Sequence, residues 1–424
     1  MIKIYNLSLE KREEVFNIEK PQIKVSSIVS DIINTVKKEG DKALFYYNKK
    51  FDGADITSLK VTEEEIESAY NSVDEKFISI LKEASNNIRE FHLLQKREGF
   101  ELKRENGVIV GQKITPIERA GIYVPGGTAA YPSTVLMDSI PAIVAGCERV
   151  IMVTPPNKEG KINPVILTAA KIAGVKEIYK VGGAQAIAAL AYGTESIDKV
   201  DKIVGPGNAF VAEAKRQVYG EVSIDMIAGP SEILVIADGK SNPKFVASDL
   251  LSQAEHDKLA SAVLITDDLD FAKKVQEEIE VQIPLLERAE IARASIDNNG
   301  KIIVTSSIEK AIETANLIAP EHLEICLDEP YKYLDKIKHA GSVFLGRYCP
   351  EAVGDYFAGS NHTLPTSGTA RFSSPLSVDD FIKKTQYVYY DENSLEKVAD
   401  KIDYFAKKEG LTAHGKSVTV RFRR

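Results

Sequence analysis

The chain has 424 residues, 44% hydrophobic and 27% charged, with a formal net charge of −8. That length suffices for a large core and two domains, and the acidic balance, without any basic run interleaved with aromatics, argues against nucleic acid as partner. No stretch approaches the roughly 18 apolar residues of a membrane span, the start Met1-Ile-Lys-Ile-Tyr-Asn lacks a signal-like apolar region, and three widely spaced cysteines, Cys147, Cys326 and Cys349, form no disulfide framework and suit a reducing cytoplasm.

Residues 1–20 are polar and poorly periodic, and read as an arm. From Pro21 to Phe91 the pattern is helical, with Ile28, Ile32, Ile33 and Val36 at helix spacing. The polar stretch Gln95 to Asn106 leads to the strand-like Gly107-Val-Ile-Val-Gly-Gln. From Gly121 the rhythm becomes strand, glycine turn, helix. Ile122-Tyr-Val, Arg149-Val-Ile-Met-Val, Glu177-Ile-Tyr-Lys-Val and Lys202-Ile-Val are the expected strands, with helices at 184–192 and 209–218. A second series follows, with strands at 233–237, 262–266, 301–304, 324–327 and 342–345, and helices around 243–257, 270–284, 308–319 and 331–339. This alternation predicts two doubly wound units built on parallel sheets, with a seam near Ala228-Gly-Pro-Ser231. The tail from about Leu376 is helical around 395–408, and the closing Arg421-Phe-Arg-Arg is too short for a nucleic-acid patch.

Three strand–glycine–helix junctions, Pro125-Gly-Gly-Thr128, Val181-Gly-Gly-Ala-Gln185 and Val204-Gly-Pro-Gly-Asn208, can point N–H groups at an anion. None is a dinucleotide fingerprint, since Phe210 stands where the third glycine would fall. Singly they are ordinary turns. Together they suggest a ligand such as a nucleotide or phosphate along one sheet edge.

Four of the six histidines fall in a sparse polar series: Gln253-Ala-Glu-His256, Pro320-Glu-His322, Gly354-Asp355, Asn361-His362 and Ala413-His414-Gly415. Gln253 and His256 share a helix face. Pro320 ends a helix, so Glu321 and His322 sit in a turn where neighbours can act together. Each segment alone is equally a polar stripe, a turn aspartate, a helix-ending loop or a solvated tail histidine. In combination, imidazoles, an amide and a carboxylate favour zinc over magnesium or calcium.

These segments closely resemble the histidinol dehydrogenases. The resemblance runs from about residue 20 onward, through Tyr123-Val-Pro-Gly-Gly, Val181-Gly-Gly-Ala-Gln, Gly205-Pro-Gly-Asn, Ile224-Asp-Met-Ile-Ala-Gly-Pro-Ser-Glu, Leu251-Ser-Gln-Ala-Glu-His-Asp, Ala319-Pro-Glu-His-Leu-Glu, Gly354-Asp-Tyr-Phe-Ala-Gly-Ser-Asn-His-Thr and Leu411-Thr-Ala-His. It implies an α/β fold of two incomplete Rossmann-like units with a helical N-terminal region and a C-terminal tail. The expected division is an arm (1–20), a helical region packing with the second α/β unit (21–115), a first α/β unit with cofactor loops (116–230), a second with zinc and catalytic residues (231–375), and a dimerisation tail (376–424). The implied reaction oxidises L-histidinol through the aldehyde to L-histidine with two NAD⁺.

By the same resemblance, Gln253, His256, Asp355 and His414 hold Zn²⁺, and Glu321 and His322 are the catalytic pair. Tyr123, Gln185 and Asn208 contact NAD. Ser231, His362 and Glu409 join Gln253, His256, His322, Asp355 and His414 around the substrate. The family is homodimeric, and its C-terminal segment, with Glu409 and His414, serves the partner's site. Two rival readings stand beside this one. A cysteine-dependent aldehyde dehydrogenase would need an activated thiolate. A non-enzymatic zinc protein would leave Glu321 and His322 without a task.

Overall fold

The computed structural model describes residues 1–7, 25–126 and 130–422. Most of the expected arm, Gly127 and Thr128 of the first glycine loop, and residues 423 and 424 lie outside the described residues. In chain order the strands are β1 (Lys3–Asn6), β2 (Phe100–Lys103), β3 (Ile109–Pro116), β4 (Arg119–Tyr123), β5 (Arg149–Thr154), β6 (Glu177–Lys180), β7 (Lys202–Val204), β8 (Ser223–Ile224), β9 (Glu232–Ala237), β10 (Ser261–Thr266), β11 (Lys301–Val304), β12 (His322–Cys326), β13 (Ser342–Leu345) and β14 (Ile382–Tyr389).

Among the described residues these strands form three sheets. The first, in the order β6-β5-β4-β7-β8, is parallel throughout. The second, in the order β1-β11-β10-β9-β12-β13, is also parallel. This is the expected α/β architecture. The third, β14-β3-β2, is antiparallel.

The second sheet shows why such strands read as unbroken apolar runs. Successive side chains point to opposite faces, and both faces are covered. Ile233, Val235 and Ala237 pack with Val246, Leu250 and Val275 on one face. Leu234 and Ile236 pack with Ala311, Ile312 and Ala315 on the other. Each such aliphatic burial stabilises by about 1.5–3 kcal/mol.

Strand order reverses between β4 and β7 in the first sheet, and between β9 and β12 in the second. Ligands in such sheets usually gather where strands diverge at their carboxyl ends. The first sheet keeps that habit, because its glycine loops follow β4, β6 and β7. In the second sheet the functional residues sit at the amino edge instead. Glu321 precedes β12 and His322 opens it. The helix Pro243–Ala254 begins at an Asn242 cap and returns antiparallel to β9, which carries Gln253 to the same edge.

Several features differ from expectation. The first residues are not a free arm: β1 pairs in parallel with β11, and Ile2 is buried. An edge strand is held by main-chain hydrogen bonds, which periodicity does not register. The N-terminal helices pack on the first α/β half rather than the second, for Val29, Ile32, Val36 and Leu44 share a core with Ile151, Val153 and Ile187. Helical spacing defines a face but not its partner. Strand β14 lies in what reads as tail, paired with β3 from Ile382↔Pro116 to Tyr389↔Ile109.

The compact division follows from that pairing. One unit comprises Met1–Gln95 and Ile117–Phe381, with both parallel sheets. The other comprises Lys96–Pro116 and Ile382–Arg424, with the antiparallel sheet and the helices Glu392–Lys408 and Thr412–Thr419. Among the described residues no helix is long and apolar enough to cross a membrane.

Candidate active site

A cavity of about 1120 Å³ lies in the first unit, and Asn208, Ser231, Gln253, His256, Glu321, His322, Asp355 and His362 all line it. The tertiary structure thus joins eight of the residues singled out from sequence.

His322 is at the centre. Its ring is buried, and Nδ1 lies 3.0 Å from the Glu232 carbonyl and 3.0 Å from the Gln253 amide nitrogen. The carbonyl can only accept and the amide nitrogen only donate, so both cannot bond the same ring nitrogen. Gln253 has another acceptor, Glu351 Oε1 at 2.9 Å. Nδ1 has no other acceptor among its contacts this close, so the proton belongs on Nδ1, donated to Glu232. Nε2 then carries the lone pair, and among the described residues it has no hydrogen-bond partner. It lies 3.8 Å from Asp355 Oδ1 and 3.9 Å from Glu351 Oε1.

Burial shapes the protonation of the site. Desolvation pushes His322 down to about 3 and His362 down to about 4. His256 is open to the cavity yet walled closely enough that desolvation lowers it too. These imidazoles are therefore neutral at neutral pH. The same burial raises Asp355 to about 7, and drives Glu321 and Glu351 well above the carboxylate range, helped by neighbouring carboxylates. Glu321 Oε2 accepts the Glu232 N–H at 2.8 Å.

This is a donor set that fits a cation. Buried carboxyls and neutral imidazoles lose stability to desolvation, and a bound cation would draw the carboxyls into their charged form. One amide oxygen, Gln253 Oε1, is buried and has no partner among the described residues. His322, Glu351 and Asp355 can each place a ligand atom within 4.8 Å of the others. Glu351 and Glu232 escaped the sequence reading. For Glu351 a signal was present: it stands four residues before Asp355, on the same face of the helix Glu351–Tyr356. The role of Glu232 is carried mainly by its backbone, which leaves no mark in sequence.

The first sheet contributes differently. Gly205 adopts φ +121°, and a Cβ there would collide with the Tyr123 carbonyl oxygen. Asn208 is spent as the cap of the helix Ala209–Val218, accepting from Phe210 and Val211 N–H, and is exposed at the cavity. Beneath the loop, Lys215 donates to the Gly205 carbonyl at 2.9 Å and pairs with Asp225, which accepts the Gly205 N–H at 2.9 Å. Tyr123 and Gln185 are buried and do not line the cavity. The Tyr123 hydroxyl accepts the Gly183 N–H at 3.1 Å, and burial pushes it up to about 12.

Glu409 and His414 belong to the second unit, where both are exposed and line a pocket of about 380 Å³ beside Ile402 and Phe405. None of the cysteines lines the large cavity, and burial holds Cys326 and Cys147 as thiols. A thiolate mechanism finds no activated sulfur there.

Fold and site together define an α/β protein with two parallel sheets and a small antiparallel one, and with buried imidazoles, buried carboxyls and an unpartnered amide oxygen in one cavity. A family model described as histidinol dehydrogenase matches residues 17–422. The chain is 56% identical over 419 residues to the histidinol dehydrogenase of Clostridium acetobutylicum, covering 99% of this chain and 96% of that protein. It is 55% identical over 396 residues to that of Bacillus subtilis, covering 93% of each. The crystal structure of histidinol dehydrogenase from Elizabethkingia anophelis superposes with a TM-score of 0.93 at 43% identity, covering 99% of this chain and 98% of that one. The chain belongs to the histidinol dehydrogenase family, a family of oxidoreductases.

Proposed function

We propose that the protein oxidises L-histidinol through L-histidinaldehyde to L-histidine with two NAD⁺, at a zinc-holding site, as the closing steps of histidine biosynthesis in the cytoplasm. The observation that carries this reading is the pairing, in one cavity, of the unpartnered His322 Nε2 with the unpartnered Gln253 Oε1. One is a lone pair with no proton to take, the other an oxygen with neither an N–H nor a cation to bind.

Gln253, His256 and Asp355 are the ligands the first unit offers, and His414 is the fourth. When bound, zinc supplies an anchor for the substrate's imidazole and amine nitrogens, and NAD⁺ supplies the hydride acceptor. The Gly205–Asn208 loop and the buried Tyr123 and Gln185 form the cofactor side. Ser231, His362 and Glu409 complete the substrate side.

His322 does the first proton transfer. Nε2 takes the hydroxyl proton while the carbinol carbon gives up its hydride. The Nδ1–H bond to the Glu232 carbonyl holds the tautomer that makes this possible. In the second half-reaction Glu321, whose Oε2 is 3.8 Å from Nδ1 of that ring, takes a proton from the water that adds to the aldehyde. The hydrate then loses its second hydride as His322, having released its first proton to solvent between the two half-reactions, again accepts the hydroxyl proton. Burial favours the protonated form of Glu321, so it serves as this base in the charged form that a bound cation would restore.

We place His414 and Glu409 in the site of a partner chain. Their exposure, next to the apolar Phe405 and Leu411, is that of a surface made to be covered. The test is direct: purified protein, L-histidinol and NAD⁺, with NADH counted per histidine formed. Two NADH per histidine are expected, abolished by chelation and restored by zinc. Full oxidation by rigorously metal-free protein would overturn the zinc assignment.

A further inference from the structure

A side-chain amide offers a cation an oxygen on one side and two N–H groups on the other. Which one faces the site is decided by what holds the far end. Gln253 occupies the last turn of the helix Pro243–Ala254 and is fully buried. Its Nε2 donates to Glu351 Oε1 at 2.9 Å, and its Oε1 is buried without a partner among the described residues. Glu351 is itself fixed. It is 3% exposed, it opens the helix that carries Asp355, and its backbone N–H donates to Glu324 Oε1 at 2.7 Å. Glu324 is wholly buried on β12, two residues beyond His322.

From this geometry we propose that Glu351 is a positioning residue that orients the Gln253 amide, turning its oxygen toward the cation. The inference rests on the zinc reading above and deepens it. An unconstrained glutamine in this place has no reason to prefer oxygen inward, because its other contact, His322 Nδ1, donates in the catalytic tautomer and would itself attract Oε1. Glu351 removes that freedom by accepting the N–H. The same residue therefore serves two ends. It frees Oε1 for the metal, and it keeps the Gln253 oxygen from taking the His322 Nδ1–H away from the Glu232 carbonyl. Outer carboxylates and carbonyls that orient metal ligands commonly change metal affinity by about 10–100-fold when lost.

The measurement is zinc retention, read by competition with a chromophoric chelator, with no turnover involved. Glu351→Leu keeps bulk but removes the acceptor, and zinc should bind about 10–100-fold more weakly than in the parent. Glu351→Gln retains a carbonyl that can accept the same N–H, and should keep most of the affinity. Glu351→Leu combined with Gln253→Glu presents an oxygen whichever way the side chain turns, and should recover binding lost in Glu351→Leu. Circular dichroism and thermal unfolding of each variant separate a folding defect from a lost ligand. A Glu351→Leu protein that folds and holds zinc as tightly as the parent overturns the inference. So does a double variant no better than Glu351→Leu alone. A parent protein that holds no zinc would instead overturn the underlying metal assignment, which keeps the two failures apart.

Discussion

The carboxyl edge of the first sheet and the amino edge of the second meet at one cavity but are built from different materials. The first is made of backbone. Gly205 approaches Tyr123 where no side chain fits, and the Lys215–Asp225 pair clamps the loop from below. The second is made of side chains. Glu321, His322 and Glu351 are almost wholly buried, and desolvation shifts every one of them away from its charged form. A backbone-built edge recognises a ligand by shape and N–H groups at little electrostatic cost. A side-chain-built edge stores unfavourable desolvation that only a cation, a substrate or a proton transfer relieves. This contrast suits the proposed division, with chemistry at the second edge and cofactor seating at the first.

The largest test of that division is His322→Asn. It removes the base proposed for both oxidations, and each half-reaction should slow by about 10²–10⁴-fold. Single-turnover measurements starting from histidinol and from histidinaldehyde would show it. A variant slowed in only one half would move the base elsewhere.

Glu321→Gln keeps size and loses the carboxylate proposed to activate water. The aldehyde step should fall within the same range of about 10²–10⁴-fold, with the first hydride transfer much less affected. Equal damage to both halves would dissolve the division of labour.

A mixed dimer asks whether the amino edge is completed by the partner. One chain carries His256→Ala and the other His414→Ala. Each homodimer should be nearly inactive. In the heterodimer one site collects both defects and the other none, so about half the activity per dimer should return. A folded, stably mixed and inactive heterodimer would place both ligands in one chain.

The smallest effect is expected at the backbone edge. Gly205→Ala forces a Cβ into a left-handed backbone against the Tyr123 carbonyl, costing about 1–3 kcal/mol of stability in urea unfolding. Zinc retention should stay at the parent level while KM for NAD⁺ rises. Loss of zinc together with NAD⁺ affinity would mean that the two edges are not separable.

By itself the sequence specified the strand–helix rhythm, because a strand covered on both faces must be apolar at every position, as Glu232–Ala237 nearly is. It also carried the chemistry-bearing residues, since few histidines stand beside acids and amides by chance. Resemblance then assigned those residues roles that spacing alone left open. Tertiary structure decided what depends on partners. It set the N-terminal helices on the first sheet and paired β1 and β14, because main-chain hydrogen bonds and complementary faces are pairwise properties. It put the site at the amino edge of the second sheet, where the return of the helix Pro243–Ala254 meets the start of β12. It added Glu351 and the Glu232 carbonyl, which act only through what they face. A residue's donors and acceptors are written in its type, but whether they are spent or free is settled only when the chain is packed around them.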